Sequence, residues 1–308
     1  MKITVLVPTY RRGDDLVRCL AALKEQLRPP EEIVVVHRAD DEITRAVLAG
    51  PAAEGLPLRL VIVEVPGQVA ALNKGVAGSS GDIVCITDDD AAPRPDWVAR
   101  IAEHFASDER IGGVGGRDRV HEHGTVVEGE AATVGRVQFF GRHIGNHHIG
   151  AGAPRDVDIL KGANMSYRRA ALLDAGFDTR LLGAGAQVAN DMKVALSLRR
   201  RGWRLIYDPA VIVEHYPAVR HDVDGRQMFS AEATRNRAHN ETLALLDFLP
   251  ASRVPLFAAW ALAIGTPDVP GLAQAARMLV KGAPHVGARL GAALSGRVGG
   301  TLTWLRRP

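Results

Sequence analysis

Three consecutive carboxylates, Asp88-Asp89-Asp90, stand directly after the apolar, β-branched run Ile83-Val84-Cys85-Ile86-Thr87. Such a run reads as a buried strand, and ligands of open α/β sheets bind in the crevice outside the carboxyl ends of their strands. Adjacent acids there repel one another unless a divalent cation or bound donors offset the charge. Oxygen ligands suit Mg2+ or Mn2+ rather than zinc, and a cation held by few carboxylates keeps positions open for phosphate oxygens. A nucleoside diphosphate is then the natural ligand, with the cation stabilising the leaving group. Acids that merely cap the following segment account for one or two of the three.

Two further polar residues stand at the ends of regular elements. Asp191 sits at the start of a helix read from Asn190 to Arg201 and ended by Gly202. An acid there is favoured by the helix dipole. His215 follows the short strand Val211–Val213, where a histidine serves either packing or a metal. The histidines His121, His123, His143, His147 and His148 lie in Gly-rich sequence without the fixed spacing of a zinc site. They are expected in a flexible lid or an acceptor contact, with His147 or His148 meeting donor phosphate on closure.

The elements that must position these groups are legible as alternating short β-branched runs and longer periodic segments. Strands are read at Ile3–Val7, Ile33–Val36, Leu58–Val63 and Ile83–Thr87. Helices are read from Asp14 or Asp15 through Leu16, Leu20, Leu23 and Leu27, after Gln68, and from Asp96 through Trp97, Ile101 and Phe105. This predicts βαβ units and a parallel sheet. Gly112 to Gly152 reads as irregular loops over the site, with a hairpin at Arg119–Val127 around His123-Gly124. Separate strands are expected at Trp203–Tyr207 and Val211–Val213, followed by a mostly helical remainder.

Composition bounds the class. Of 308 residues, 46% are hydrophobic and 24% charged, which excludes disordered and fibrous chains. Only Cys19 and Cys85 are present, against a disulfide framework and in favour of a reduced, cytoplasmic setting. The apolar start ends at Pro8, too short for a signal-peptide core, and the longest uncharged stretch of the C-terminal region, Val254–Pro267, is too short to span a bilayer. The net charge of +3 is asymmetric: residues 251–308 carry seven Lys or Arg against Asp268 alone. In that tail Val286, Leu290, Leu294, Val298 and Leu302 repeat at four residues beside Gly287, Gly291, Ser295 and Gly299, with Arg289 and Arg297 flanking. Such a face is expected to meet an anionic inner-membrane surface, to pack on its own domain, or to form a homodimer.

The chain lacks a GxGxxG or Walker A loop after its first strand, where Pro8-Thr9-Tyr10-Arg11-Arg12-Gly13 stands instead. That opening, Asn73-Lys74-Gly75, the acidic triplet with Pro93, Pro95, Asp96 and Trp97, Lys161 to Arg169, Gly176-Phe177-Asp178, Asn190-Asp191 and Tyr207 to His215 together resemble the GT-A fold, family 2 glycosyltransferases. The resemblance covers about residues 1–240. It implies an α/β, Rossmann-like fold with a nucleotide-sugar half at 1–110, an acceptor half at 111–240, and a helical extension at 241–308. It implies an inverting, divalent-metal-dependent transfer of sugar from a nucleotide-diphosphate-sugar to a glycan, lipid-linked or small-molecule acceptor, with no nucleic acid involved.

Carried over by residue, Pro8, Thr9, Tyr10, Arg12, His37, Asn73, Lys74, Asp88 and Asp89 would be on the donor side. Asp90 and His215 would hold Mn2+ or Mg2+, with Asp88 binding the ribose or assisting. Asp191 would be the base, and Gly162, Asn164, His147 and His148 would belong to the acceptor side or loop. Departures stand beside the matches: His37 and Arg38 end the second strand where acids are common, Leu72 replaces an Arg, Asn190 replaces a Glu, and Lys193 replaces a second acid. A nucleotidyltransferase, which would need a Gly-rich basic loop after the first strand, and a catalytically silent sugar-nucleotide or glycan-binding protein are the alternatives.

Overall fold

The computed structural model describes residues 1–122, 124–218 and 229–306. β1 (Ile3–Pro8), α1 (Gly13–Lys24), β2 (Glu32–Arg38), α2 (Glu42–Leu48), β3 (Leu58–Val63), α3 (Gln68–Gly78) and β4 (Ile83–Ile86) alternate first. Then come β5 (Ala91–Pro93), α4 (Trp97–Ser107), β6 (Ile111–Glu122), β7 (Thr125–Val126), β8 (Arg136–Val137), β9 (His143–Ile144), β10 (Arg155–Val157), β11 (Met165–Arg168) and α5 (Arg169–Ala175). α6 (Asn190–Arg200), β12 (Arg204–His215), α7 (Ala231–Phe248), α8 (Val254–Ala263), α9 (Leu272–Val280) and α10 (Val286–Leu305) complete the chain.

The main sheet has the order β10-β12-β6-β11-β4-β1-β2-β3. β1 pairs in parallel with both β2 and β4, so successive strands first step to one side of β1 and then to the other. That reversal opens a crevice at the carboxyl ends of β1 and β4. One face of the sheet is covered by α3, α5 and α6 through Leu72, Val76, Leu172 and Leu198, the other by α1 and α4 through Leu16, Leu20, Trp97 and Ile101. Each such side chain contributes roughly 1.5–3 kcal/mol by burial. A third cluster joins α6 to α7 and α8 through Met192, Leu196, Leu245 and Phe257.

Three differences from the sequence reading have physical causes. α1 stops at Lys24 and leaves Leu27 exposed, because Gln26 caps the Ala22 carbonyl and the Leu27 amide bonds Pro95 O at 2.8 Å. The Gly-rich segment from 111 is not a loop: β6 lies inside the sheet between β12 and β11. Its glycines are required by bulky neighbours, since a Cβ at Gly112 would meet Trp203 at 2.6 Å and one at Gly113 would meet Leu205 at 2.7 Å. The two expected strands after Gly202 form one, β12, whose register slips between Asp208 and Ile212. Pro209, which has no N–H to donate, sits in that slip. The hairpin at the end of β6 is present through the His121–Val126 and Glu122–Thr125 pairs, whereas His123 lies outside the described residues.

The tail also differs. α10 packs along α7 through Ala293, Gly296 and Gly300 rather than through the expected strip, and Gly287 and Gly291 face open space. Val298 and Leu302 are exposed, and Arg297 is buried with its guanidinium on the carbonyls of Val269 and Pro270. No helix among the described residues is long and apolar enough to cross a membrane.

Two glycines of α10 therefore respond oppositely to alanine. A Cβ at Gly296 would lie 2.3 Å from the Arg235 carbonyl oxygen, whereas Gly291 has no neighbour within 4 Å. Gly296→Ala is expected to lower stability by about 1–3 kcal/mol, and Gly291→Ala to raise it by up to about 1 kcal/mol. Urea unfolding of both variants checks this; equal midpoints would contradict the packing of α10 on α7.

Candidate functional site

β4 delivers the acidic triplet into the crevice. Thr87, buried at its end, is fixed by its amide to Leu6 O (3.1 Å) and by its hydroxyl to Ala163 O (3.0 Å). Asp89 is nearly buried and accepts from Arg12 Nη1 at 3.0 Å; the same nitrogen lies 3.6 Å from Asp90 Oδ2. Burial pushes the Asp89 carboxyl up to about 7, even with Arg12 beside it. Burial, reinforced by Asp90, also raises Asp88. Asp90 goes the other way: burial opposes ionisation, but His215, the Ala218 amide and Arg12 hold it below the usual carboxylate range.

His215 arrives from the opposite side of the sheet at the end of β12, across from Val120 on β6 and Ala91 on β5. Its Nδ1 lies 2.9 Å from Asp118 Oδ1 and its Nε2 3.3 Å from Asp90 Oδ1. Asp118 is wholly buried and also ion-paired to Lys161. Burial would raise the Asp118 carboxyl, but Lys161 and His215 hold it well below the usual range. An ionised Asp118 accepts from Nδ1–H, and Nε2, turned to Asp90, carries a second proton unless a cation takes its place. Against the burial penalty, Asp118 and Asp90 raise the imidazole to about 10.

Asp88, Asp90 and His215 each offer one ligand atom, all within 4.8 Å of one another. Asp90 Oδ1 is buried, with the His215 Nε2 ion pair at 3.3 Å as its neighbour and no well-formed hydrogen bond. Two carboxylate oxygens and one imidazole nitrogen converging on an unsatisfied oxygen fit Mg2+ or Mn2+.

The cluster floors a cavity of about 370 Å³. Pro8, Thr9, Tyr10 and Arg12 at and beyond the end of β1, Arg38 at the end of β2, Val63, Val65, Pro66 and Gln68 from the end of β3 into α3, and Ala184 to Ala186 form its walls. Two guanidinium groups lie near the Tyr10 ring, Arg38 at 4.9 Å and Arg11 at 5.0 Å from its centre. Asp41 holds this loop by accepting from the Arg11 amide at 2.6 Å while it caps α2 through the Thr44 amide. Gly67 admits the far wall: at φ 113° its place would put a Cβ 2.6 Å from Gln187 Oε1, which itself accepts from the Val69 amide opening α3.

Of the residues singled out from sequence, Pro8, Thr9, Tyr10, Arg12, Asp88, Asp89, Asp90 and His215 meet at this cavity. Six others are placed elsewhere. His37 is buried with Nδ1 on the Arg38 carbonyl, and the cavity wall is Arg38 instead. Asn73 clamps α3 to the segment after α5 by bonding both the amide and the carbonyl of Phe177, and Lys74 is exposed on the outer side of α3. Asn164 is buried and saturated by Trp97 Nε1 and the carbonyls of Arg117 and Val211, so it braces α4, β6 and β12. His147 is buried against Tyr207 with Nε2 3.0 Å from Ile159 O, closed to any phosphate. His148 is half-buried and does not line the cavity.

Asp191 occupies the first turn of α6, behind Ala189 at φ 72°. Its Oδ2 accepts from the Gly162 amide at 3.1 Å and its Oδ1 from the Met192 amide at 2.7 Å. Gly162 adjoins Lys161, which neutralises Asp118, so one short loop touches both Asp191 and the support of His215. Arg38, Gln68 and the Ala184–Ala186 wall were not foreseen; only the position of Arg38 at the end of β2 carried a signal.

A family model described as "Glycosyltransferase like family 2" matches residues 1–237. The chain is 31% identical over 106 residues to an uncharacterized glycosyltransferase, YwdF, of Bacillus subtilis, covering 34% of this chain and 38% of that protein. It is 26% identical over 227 residues to a glucosyl-dolichyl phosphate glucuronosyltransferase of Haloferax volcanii, covering 70% and 69%. The chain spans half or less of the length of three such relatives (38%, 50% and 33%). Among solved structures, the mannosyltransferase PcManGT from Pyrobaculum calidifontis, in complex with GDP-Man and Mn2+, superposes with a TM-score of 0.54 at 23% identity, over 99% of this chain and 87% of that one. At that identity the likeness speaks for the fold.

The burial of His147 has a pH signature. Desolvation lowers its pKa to about 4, so between that value and the ordinary 6.5 the unfolded chain binds the proton that the folded one refuses. Its contribution is complete above pH 6.5 and is lost as pH falls towards 4, at about 1.4 kcal/mol per unit. The stability of the wild type relative to His147→Gln should therefore drop by about 2–3 kcal/mol from pH 7 to 4.5 in denaturant titrations. Parallel pH curves would contradict the buried, neutral assignment.

Proposed function

The chain belongs to the glycosyltransferase-like family 2, and from that premise we propose that it transfers a sugar from a nucleoside-diphosphate sugar to an acceptor hydroxyl with inversion. The observation that carries the reading is the convergence of Asp88, Asp90 and His215 beneath a cavity at the switch point of the sheet. The cavity's volume and mixed lining suit a nucleotide. Tyr10 and Arg38 offer a flat, cationic wall for a base, and Pro8 and Thr9 bring backbone close to the sugar of the nucleoside. A Mg2+ or Mn2+ held by Asp88, Asp90 and His215 would offset the charge on the departing diphosphate. The Mn2+ named with the Pyrobaculum mannosyltransferase supports the same cation.

Asp191 is the proposed base. The Gly162 amide and the helix start fix its carboxylate through two hydrogen bonds. Each carboxylate oxygen keeps a second lone pair for an acceptor hydroxyl. The acceptor oxygen would lose its proton to Asp191 as it attacks the anomeric carbon from the face opposite the nucleotide. A lipid-linked acceptor is favoured among glycan, lipid-linked and small-molecule classes by the name of the Haloferax relative.

A thermal-shift screen of UDP-, GDP-, dTDP- and CDP-sugars with Mn2+ identifies the donor for the test. Asp191→Asn is then expected to slow transfer by about 10²–10⁴ while donor affinity changes little. The same measurement separates an enzyme from a silent binding protein. Near-normal turnover with chemistry rate-limiting would make Asp191 a helix-start acid only.

A further inference from the structure

An amphipathic helix on a protein surface ordinarily turns its apolar stripe inward. α9 does the reverse. Leu272, Ala276, Leu279 and Val280, at spacings that place them on one side, are exposed, with Leu272 at 63%, Leu279 at 65% and Val280 at 89%. The buried side of the helix is Ala275. α8 continues the pattern: it carries no charged residue, and Leu256 and Leu262 are 43% and 49% exposed. The two helices are joined by a tight connection in which Gly265 bridges Pro270, so they form one hairpin.

From α9 to the end of the described chain the formal charge has one sign. Residues 269–306 contain no acid, and Arg277, Lys281 and Arg306 are exposed. Asp268, the acid at the hairpin's turn, is already ion-paired with Arg237 of α7. Arg277 and Lys281 follow the exposed stripe around the helix, one step beyond Ala273. An outward apolar stripe flanked by Lys and Arg is the arrangement by which a helix lies in the headgroup layer of a bilayer.

We propose that the α8–α9 hairpin docks this protein on an anionic lipid surface, with Leu272, Leu279 and Val280 entering the acyl boundary and Arg277 and Lys281 meeting the headgroups. The assignment moves the contact away from α10, whose packing face is spent on α7. It stands independently of the transfer reaction.

Co-sedimentation of the full chain with phosphatidylcholine vesicles, with and without phosphatidylglycerol, tests it. Binding should strengthen at least tenfold with phosphatidylglycerol and weaken with salt. Leu279→Ser/Val280→Ser and, separately, Arg277→Gln/Lys281→Gln should each reduce it by at least tenfold while melting with the wild type. Three results would overturn the proposal: a wild type that stays in the supernatant, variants that sediment like the wild type, or a lipid-free dimer in sedimentation velocity that the Leu279/Val280 variant abolishes, which would assign the face to a second copy.

Discussion

Four carboxylates, Asp88, Asp89, Asp90 and Asp118, are gathered at the carboxyl edge of one sheet with three cationic partners among the described residues, Arg12, His215 and Lys161. Burying charge is costly unless it is paired and hydrogen-bonded. Asp118 is fully compensated, by Lys161 on one oxygen and His215 on the other. The triplet is not: Asp88 and Asp89 are pushed towards neutrality by burial, and Asp90 keeps an oxygen without a hydrogen bond. This uneven neutralisation makes the edge a receptor for added positive charge. The surrounding fold can be understood as the frame that keeps it so.

That frame works by bracing loops with side chains that touch no ligand site. Asp41 fixes the β1–α1 loop, Gln187 fixes the start of α3, and Asn164 ties α4 to β6 and β12. The close approach of β6 and β12 brings Asp118 and His215 together, and the glycines of β6 allow it. A Cβ at Gly116 would fall 1.8 Å from the Val211 carbonyl oxygen, beside the register slip that redirects the end of β12. The location of His215 thus depends on a glycine in the neighbouring strand.

The triplet, His215 and the first-strand loop were legible because their chemistry and their place at strand ends coincide. The alternation that predicts βαβ units gave the first four strands, apolar spacing gave α1 and α4, and the stop at Gly202 gave α6. β6 was illegible because glycine usually signals a turn, whereas here its absent side chain makes room for Trp203, Leu205 and Tyr167. His37, Asn73 and Asn164 lie away from the cavity for a related reason. A polar residue at a motif position looks the same whether it faces a ligand or satisfies buried backbone, and only the observed partners distinguish the two. The far wall, Ala184 to Ala186, has no chemical signature at all; it reaches the cavity through tertiary packing.

The central claim is that the under-neutralised triplet requires a cation before a diphosphate can bind. Calorimetric titration of the matching nucleoside diphosphate with Mn2+, after chelation, and with Asp90→Asn in Mn2+ tests it most directly. The account predicts that affinity falls at least tenfold on chelation and also in the variant, because the carboxylates repel phosphate unless a held cation intervenes. Equal affinity with and without the metal would contradict it.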